Sequence, residues 1–256
     1  MNPYHQMASL YHINDANNKT NLFIYDTETH IEESKILETP ELLDYNTCIA
    51  QLPDGELFCF GNSQLSGITL KISSDFQVQA LPSGQPVSLS SAIYFNRSVY
   101  CFGGSNGKKA LKLSERFDLD QNCWIKLTPM PRADDGCHLV IFKQIFLISR
   151  YRDSNLLLYS IENDSFNTIP YEFAERKRKI LINAERLYLI ECGNGKIYES
   201  GLGDEYTWKQ IASSIIEFKF PSQAYCVYNK GGVYIANSSN KRYYKFDLHQ
   251  KLMIEI

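Results

Sequence analysis

The sequence predicts an all-β protein built as a radial array of six repeats. The first observation is an aliphatic residue followed by Tyr or Phe inside an apolar run. It recurs at Leu10, Leu57, Val99, Ile145, Leu187 and Val233, 42 to 47 residues apart. The second is an independent anchor closing each repeat, at Leu37, Leu81, Leu127, Ile169, Ile211 and Ile256. Two anchors with the same count mark a repeat architecture in which neighbouring units bury each other's faces. The third is composition: aromatics are 13% with 17 Tyr, a strand-favouring bias, and no helical period of useful length is found.

The third repeat serves as the template. Strand a is placed near Ser91–Phe95, strand b at Val99–Phe102, strand c near 111–117 and strand d near 123–127. The c–d turn is Asp118-Leu-Asp-Gln-Asn122, whose side chains bond their own backbone readily. Equivalent turns stand at Asp26, Glu162 and Asp247. Phe117 stands seven residues before Trp124, Tyr159 seven before Phe166 and Phe246 seven before Met253. The fifth repeat carries an insertion, so that Tyr198 lies ten before Trp208.

The run Val99-Tyr-Cys-Phe-Gly103-Gly104, followed by Phe117 and Trp124, resembles the kelch repeat. That family has a hydrophobic run, a Gly pair, an aromatic residue and then a Trp. At the Gly pair the other repeats read Asn14-Asp15, Gly61-Asn62, Ser149-Arg150, Glu191-Cys192 and Asn237-Ser238, and the Trp recurs only in the fifth. No Trp-Asp or Gly-His dipeptide occurs, so WD-type repeats fit less well. The resemblance implies a six-bladed β-propeller of four-stranded blades, one domain over residues 1–256. The blades fall near 1–40, 41–84, 85–131, 132–172, 173–217 and 218–256. The first blade has only Pro3–Met7 for strand a. Either that segment is a short inner strand, or the blade has three strands, or its fourth strand lies in sequence outside these residues.

Net charge is −3, so nothing global calls for nucleic acid or an anionic membrane. No run approaches the ~18 apolar residues that a transmembrane helix needs. Met1–Met7 has neither a basic nor an apolar signal-peptide region, so a cytoplasmic protein is expected. The seven Cys lack a Cys-x-x-Cys pair, and reduced, buried thiols are expected.

Little in the chain points to catalysis. The five His show no metal-ligand spacing, and His12 falls in a strand, where a core role is expected. Asp118-x-Asp120-x-Asn122 lacks the Gly and Glu of a calcium loop and reads as the c–d turn. Asp134-Asp135 reads as a solvated loop rather than an acid pair. Galactose oxidase shares the kelch-type propeller, but no Tyr, His and Cys set here matches its copper site. No catalytic, cofactor or metal residue is assigned, and no cofactor is expected.

In a propeller the b–c and d–a loops share one face. On it the fourth blade offers Arg150, Tyr151 and Arg152, and the flanking d–a connections offer Arg132, Arg176 and Arg178. Asn62-Ser-Gln64, Ser105-Asn106 and Asn237–Asn240 supply polar groups elsewhere on that face. Arg forks suit carboxylates, so this rim is expected to bind an acidic peptide or protein surface. The expected function is a non-catalytic interaction module or scaffold. The resemblance suggests substrate recognition for a ubiquitin-ligase adaptor, or a cytoskeletal role. The alternatives are an enzyme using the central pocket and a fixed subunit of a larger assembly. The mostly apolar inner strands disfavour the enzyme, and oligomeric state is left open.

Overall fold

A computed structural model describes residues 9–142, 144–149, 155–169, 178–183, 186–191, 196–201, 207–213, 225–229, 232–237, 242–247 and 249–256. Among them the chain is all-β, with a single 3₁₀ turn at Pro53–Gly55. β1 (Ser9–Ala16), β2 (Lys19–Asp26) and β3 (Glu32–Leu37) form a three-stranded first sheet. β4 (Cys48–Gln51), β5 (Leu57–Phe60), β6 (Thr69–Ile72) and β7 (Val78–Ala80) form the second. β8 (Ser91–Phe95), β9 (Ser98–Phe102), β10 (Ser114–Asp118) and β11 (Cys123–Lys126) form the third. The fourth holds β12 (His138–Phe142), β13 (Ile145–Ser149), β14 (Leu156–Ser160) and β15 (Ser165–Ile169). The fifth holds β16 (Arg178–Asn183), β17 (Arg186–Glu191), β18 (Lys196–Gly201) and β19 (Lys209–Ser213). The sixth holds β20 (Tyr225–Asn229), β21 (Gly232–Asn237), β22 (Arg242–Asp247) and β23 (Leu252–Glu255).

Each sheet runs in chain order with antiparallel pairing, as consecutive hairpins should. The first sheet shows strands b, c and d. Pro3–Met7 lies outside the described residues. The chain divides into two compact units, one with the second and third sheets and most of the first, the other with the fourth to sixth.

Within the first unit, β5 shows why the repeats bury each other. Its residues alternate faces, and all four are buried. Leu57 and Cys59 join a cluster with Ile13 and Leu22 of the first sheet. Phe58 and Phe60 join one with Val99, Cys101 and Phe117 of the third. Each fully buried Phe contributes about 1.5–3 kcal/mol of transfer free energy. In the second unit, Leu156, Ile180 and Leu187 pack together, with Val140 and Trp208 against them.

The seven-residue aromatic spacing is a cross-strand pairing. Phe117 faces Trp124, Tyr159 faces Phe166, and Phe246 faces Met253. The Phe117 and Trp124 ring centroids are 5.3 Å apart, edge to face. The fifth sheet differs. A register shift after Ile197 puts Gln210 opposite Tyr198, and Trp208 precedes β19. Trp208 therefore stands outside the paired position that Trp124 holds in the third sheet.

The c–d turns follow the local chemistry of their first residue. Oδ1 of Asp26 accepts from the Glu28 and Thr29 amides, and Oδ1 of Asp118 from those of Asp120 and Gln121. Asp247 does the same with His249 and Gln250. His12 is buried and stacks on Phe23 at 4.6 Å. Among the described residues Cys48, Cys59, Cys101, Cys123 and Cys137 form no disulfide, and all but Cys123 are buried. Burial pushes the Cys48 thiol up to about 12, so it is held protonated.

Glu115 is a buried carboxyl whose Oε2 lacks a hydrogen-bond donor among the described residues. It is 4% exposed and lies between Cys101 and Lys126 in its sheet. Burial pushes its pKa up from the ordinary glutamate value, and the Lys126 charge offsets part of the rise. The unfolded chain keeps the ordinary value. Ionisation therefore costs the folded state, and stability falls as pH rises through the raised value. Glu115→Gln should flatten this slope and raise the urea midpoint at neutral pH. Midpoints measured from about pH 4 to about pH 8 check it, and an unchanged slope would exclude Glu115 as its source.

Candidate functional site

The b–c and d–a loops of the second and third sheets meet closely. Strand b of the third sheet leaves through Gly103 and Gly104, at φ +67° and +105°. The Gly104 amide donates to the Asp134 carbonyl at 2.7 Å. A Cβ on Gly103 would stand 2.6 Å from that same carbonyl oxygen. The Gly pair thus supplies a left-handed backbone and lets two loops touch. Gly61 and Asn62 repeat the arrangement one sheet earlier, where the Asn62 amide donates to the Val87 carbonyl at 3.2 Å. Ser88 and Ser105 exchange backbone bonds at 2.9 and 2.7 Å, joining the neighbouring loops.

These contacts revise several expectations. Asp134 is fully buried rather than solvated. Its Oδ1 accepts from the Gly136 amide at 3.0 Å, so it shapes the d–a loop. Asn62 is also buried; its amide donates to the Leu42 carbonyl and its Oδ1 accepts from Ser66. Ser105 is buried as well, and its Oγ accepts from the Gly107 amide. Asn62 and Ser105 hold loops together and present little to a partner. Asp44, likewise buried, accepts from the amides of Asn46 and Ser63.

What the third-sheet loops do present is positive. Asn106 Oδ1 accepts from the Lys108 and Lys109 amides, forming a tight turn that leaves both side chains exposed. Leu111 bridges Asp134, and the Met130 amide donates to the Lys112 carbonyl. This fastens the b–c loop to the d–a loop that carries exposed Arg132. Sequence reasoning stopped at Ser105-Asn106. The Lys pair was legible as the continuation of that loop.

Of the remaining rim residues, Arg150, Tyr151, Arg152 and Arg176 lie outside the described residues. Arg178 does not fall in a loop. It opens β16 opposite Glu191, because the β16–β17 pairing extends two residues beyond the apolar core of the strand. Among the described residues no three His, Cys, Asp or Glu side chains gather to hold a metal ion. His138, on inner strand β12, accepts at Nδ1 from the Ile180 amide at 3.4 Å and so joins two strands.

The Kelch motif family model matches residues 86–131, which is the third repeat. Many solved structures are similar in fold, among them two that cover most of this chain. One is YjhT, with a TM-score of 0.64 and 12% identity, covering 82% of this chain and 82% of that one. The other is a fungal alcohol oxidase of the AA5 family in complex with copper. It has a TM-score of 0.68 and 14% identity, over 96% of this chain and 62% of the oxidase. This chain therefore spans less than two thirds of the oxidase's length. The likenesses show the fold, and with the motif they support a kelch-type β-propeller. No curated protein sequence matches the chain. No helix among the described residues is long and apolar enough to cross a membrane.

Proposed function

We propose that the chain is a non-catalytic protein-interaction module whose b–c and d–a loops take an acidic segment of a partner protein. The observation that carries this reading is the pair of third-sheet loops. They are fastened to each other by backbone hydrogen bonds, and they keep Lys108, Lys109 and Arg132 exposed. Loops held in this way lose little entropy on binding, and their cations complement carboxylates. The kelch motif in the same repeat agrees with a protein-binding role. Arg150, Tyr151, Arg152 and Arg176 extend the same chemistry in sequence. Substrate recognition for a ubiquitin-ligase adaptor, or cytoskeletal attachment, would each use such a surface.

Two charge-reversed proteins test the reading. One carries Lys108→Glu, Lys109→Glu and Arg132→Glu; the other carries Arg150→Glu, Arg152→Glu and Arg176→Glu. Affinity capture from native extract with mass spectrometry first defines the partner of the unaltered chain. At least one reversed protein should bind that partner about tenfold or more weakly with its thermal unfolding unchanged. Full retention by both proteins would remove the loops as the binding surface.

A further inference from the structure

We propose that a cleft between the second and third sheets, at the end bearing the a–b and c–d turns, takes the basic side chain of a partner peptide. The site is at the opposite end of the strands from the loops discussed above and rests on neither their charge nor their function. Its volume is about 370 Å³. That is at the small end of the range of about 300–1,000 Å³ for ligand pockets, and suits one long side chain with its adjoining backbone.

The floor is apolar. Leu52 and Phe117 are buried in the cluster between the two sheets, and Leu81 and Leu119 are packed partly buried against it. The charges at the mouth decide the ligand. Lys71 Nζ is 2.9 Å from Glu56 Oε1. Arg97 Nε donates to both Asp120 oxygens, at 2.8 and 2.7 Å. Each cation of the cleft is therefore already matched by a carboxylate. Asp54 is the remaining charge. It is exposed on the Pro53–Gly55 turn and has no ion pair or side-chain hydrogen bond among the described residues.

A carboxylate ligand would meet this surplus negative charge and would have to draw Arg97 away from Asp120. An uncharged apolar ligand would cover Asp54 without pairing it, at a desolvation cost. An Arg or Lys side chain meets both demands. Its methylene stem lies along the Leu and Phe floor while its head reaches the carboxylate. Tyr94 lines the same cleft, where an aromatic ring would add a contact to a bound cation. Gln79 and Asn122 also line it, and their amides are not engaged by the described protein. Each can donate to and accept from a peptide backbone, a partner that a free amine lacks.

The test uses capped tripeptides, acetyl-Gly-Arg-Gly-amide and its norleucine counterpart, titrated into the isotope-labelled full chain by NMR. The arginine peptide should shift the amide signals of Leu52, Asp54 and Leu119 and bind about tenfold more tightly than the norleucine peptide. Asp54→Asn should abolish that difference without changing thermal unfolding, because Asn tolerates the φ of +62° found here as well as Asp does. Leu119→Ser should weaken both peptides. Raising salt from about 0.05 M to about 0.5 M should weaken only the arginine peptide. Equal binding of the two peptides, or no shift at these residues, would overturn the proposal. Tighter binding of agmatine than of the arginine peptide would overturn it in favour of a free-amine site.

Discussion

Phe117→Ala is expected to destabilise the chain by about 3–5 kcal/mol. Phe117 is 1% exposed. Its ring centroid lies 5.3 Å from that of Phe58 in the second sheet and 5.3 Å from that of Trp124 in its own. Truncation removes the transfer free energy of a buried aromatic and leaves a cavity between β9 and β11 that Phe58 of the second sheet faces. The loss should also reach Trp124, which stacks toward Phe60 at 4.5 Å and donates Nε1–H to the Pro82 carbonyl at 3.0 Å. Trp fluorescence during urea unfolding measures both effects. Phe117→Leu keeps most of the volume and should cost under half as much. Equal losses in the two variants would show that packing volume at this interface is not the source.

Gly103→Ala is expected to cost about 3 kcal/mol, from left-handed strain and the disturbance of a buried backbone contact. An added Cβ would stand 2.6 Å from the Asp134 carbonyl oxygen and 3.0 Å from Cys137 Sγ. The loops would have to separate, and the bond from the Gly104 amide to that carbonyl would lengthen. Gly201→Ala is the control. Among the described residues nothing lies within 4 Å of its added Cβ, and it should stay within about 0.5 kcal/mol of the parent. Amide hydrogen exchange gives a second measurement. The Gly104 amide should lose protection in Gly103→Ala more than amides of β6 do. Undiminished protection would mean that the loops tolerate the methyl group.

Strand positions and turn chemistry were legible because they are local. Leu57-Phe-Cys-Phe60 alternates between two neighbouring sheets, and nothing beyond the side-chain period of a strand is needed to foresee it. The Asp26, Asp118 and Asp247 turns form from one carboxylate and the amides two and three residues on. Loop residues were misread where their partners come from elsewhere in the chain. Asp134 follows the exposed Arg132 and reads as solvated, yet its carbonyl receives the Gly104 amide. Asn62 and Ser105 look like groups offered to a partner and are consumed in joining loops. Trp208 is the counterpart of Trp124 in sequence, but it precedes β19, and Gln210 stands opposite Tyr198.

Periodicity and turn-forming residues alone decide that this chain makes successive antiparallel hairpins, since each depends on groups within a few residues. Which charges remain available for binding is decided by the tertiary structure. Arg97 and Asp120 are 23 residues apart in sequence, and each reads separately as a surface charge. Folding brings the two turns together and neutralises both. The same folding pairs Lys71 with Glu56 and leaves Asp54 as the unmatched charge over an apolar floor. A coulombic balance depends on separation in space, and sequence distance does not set that separation.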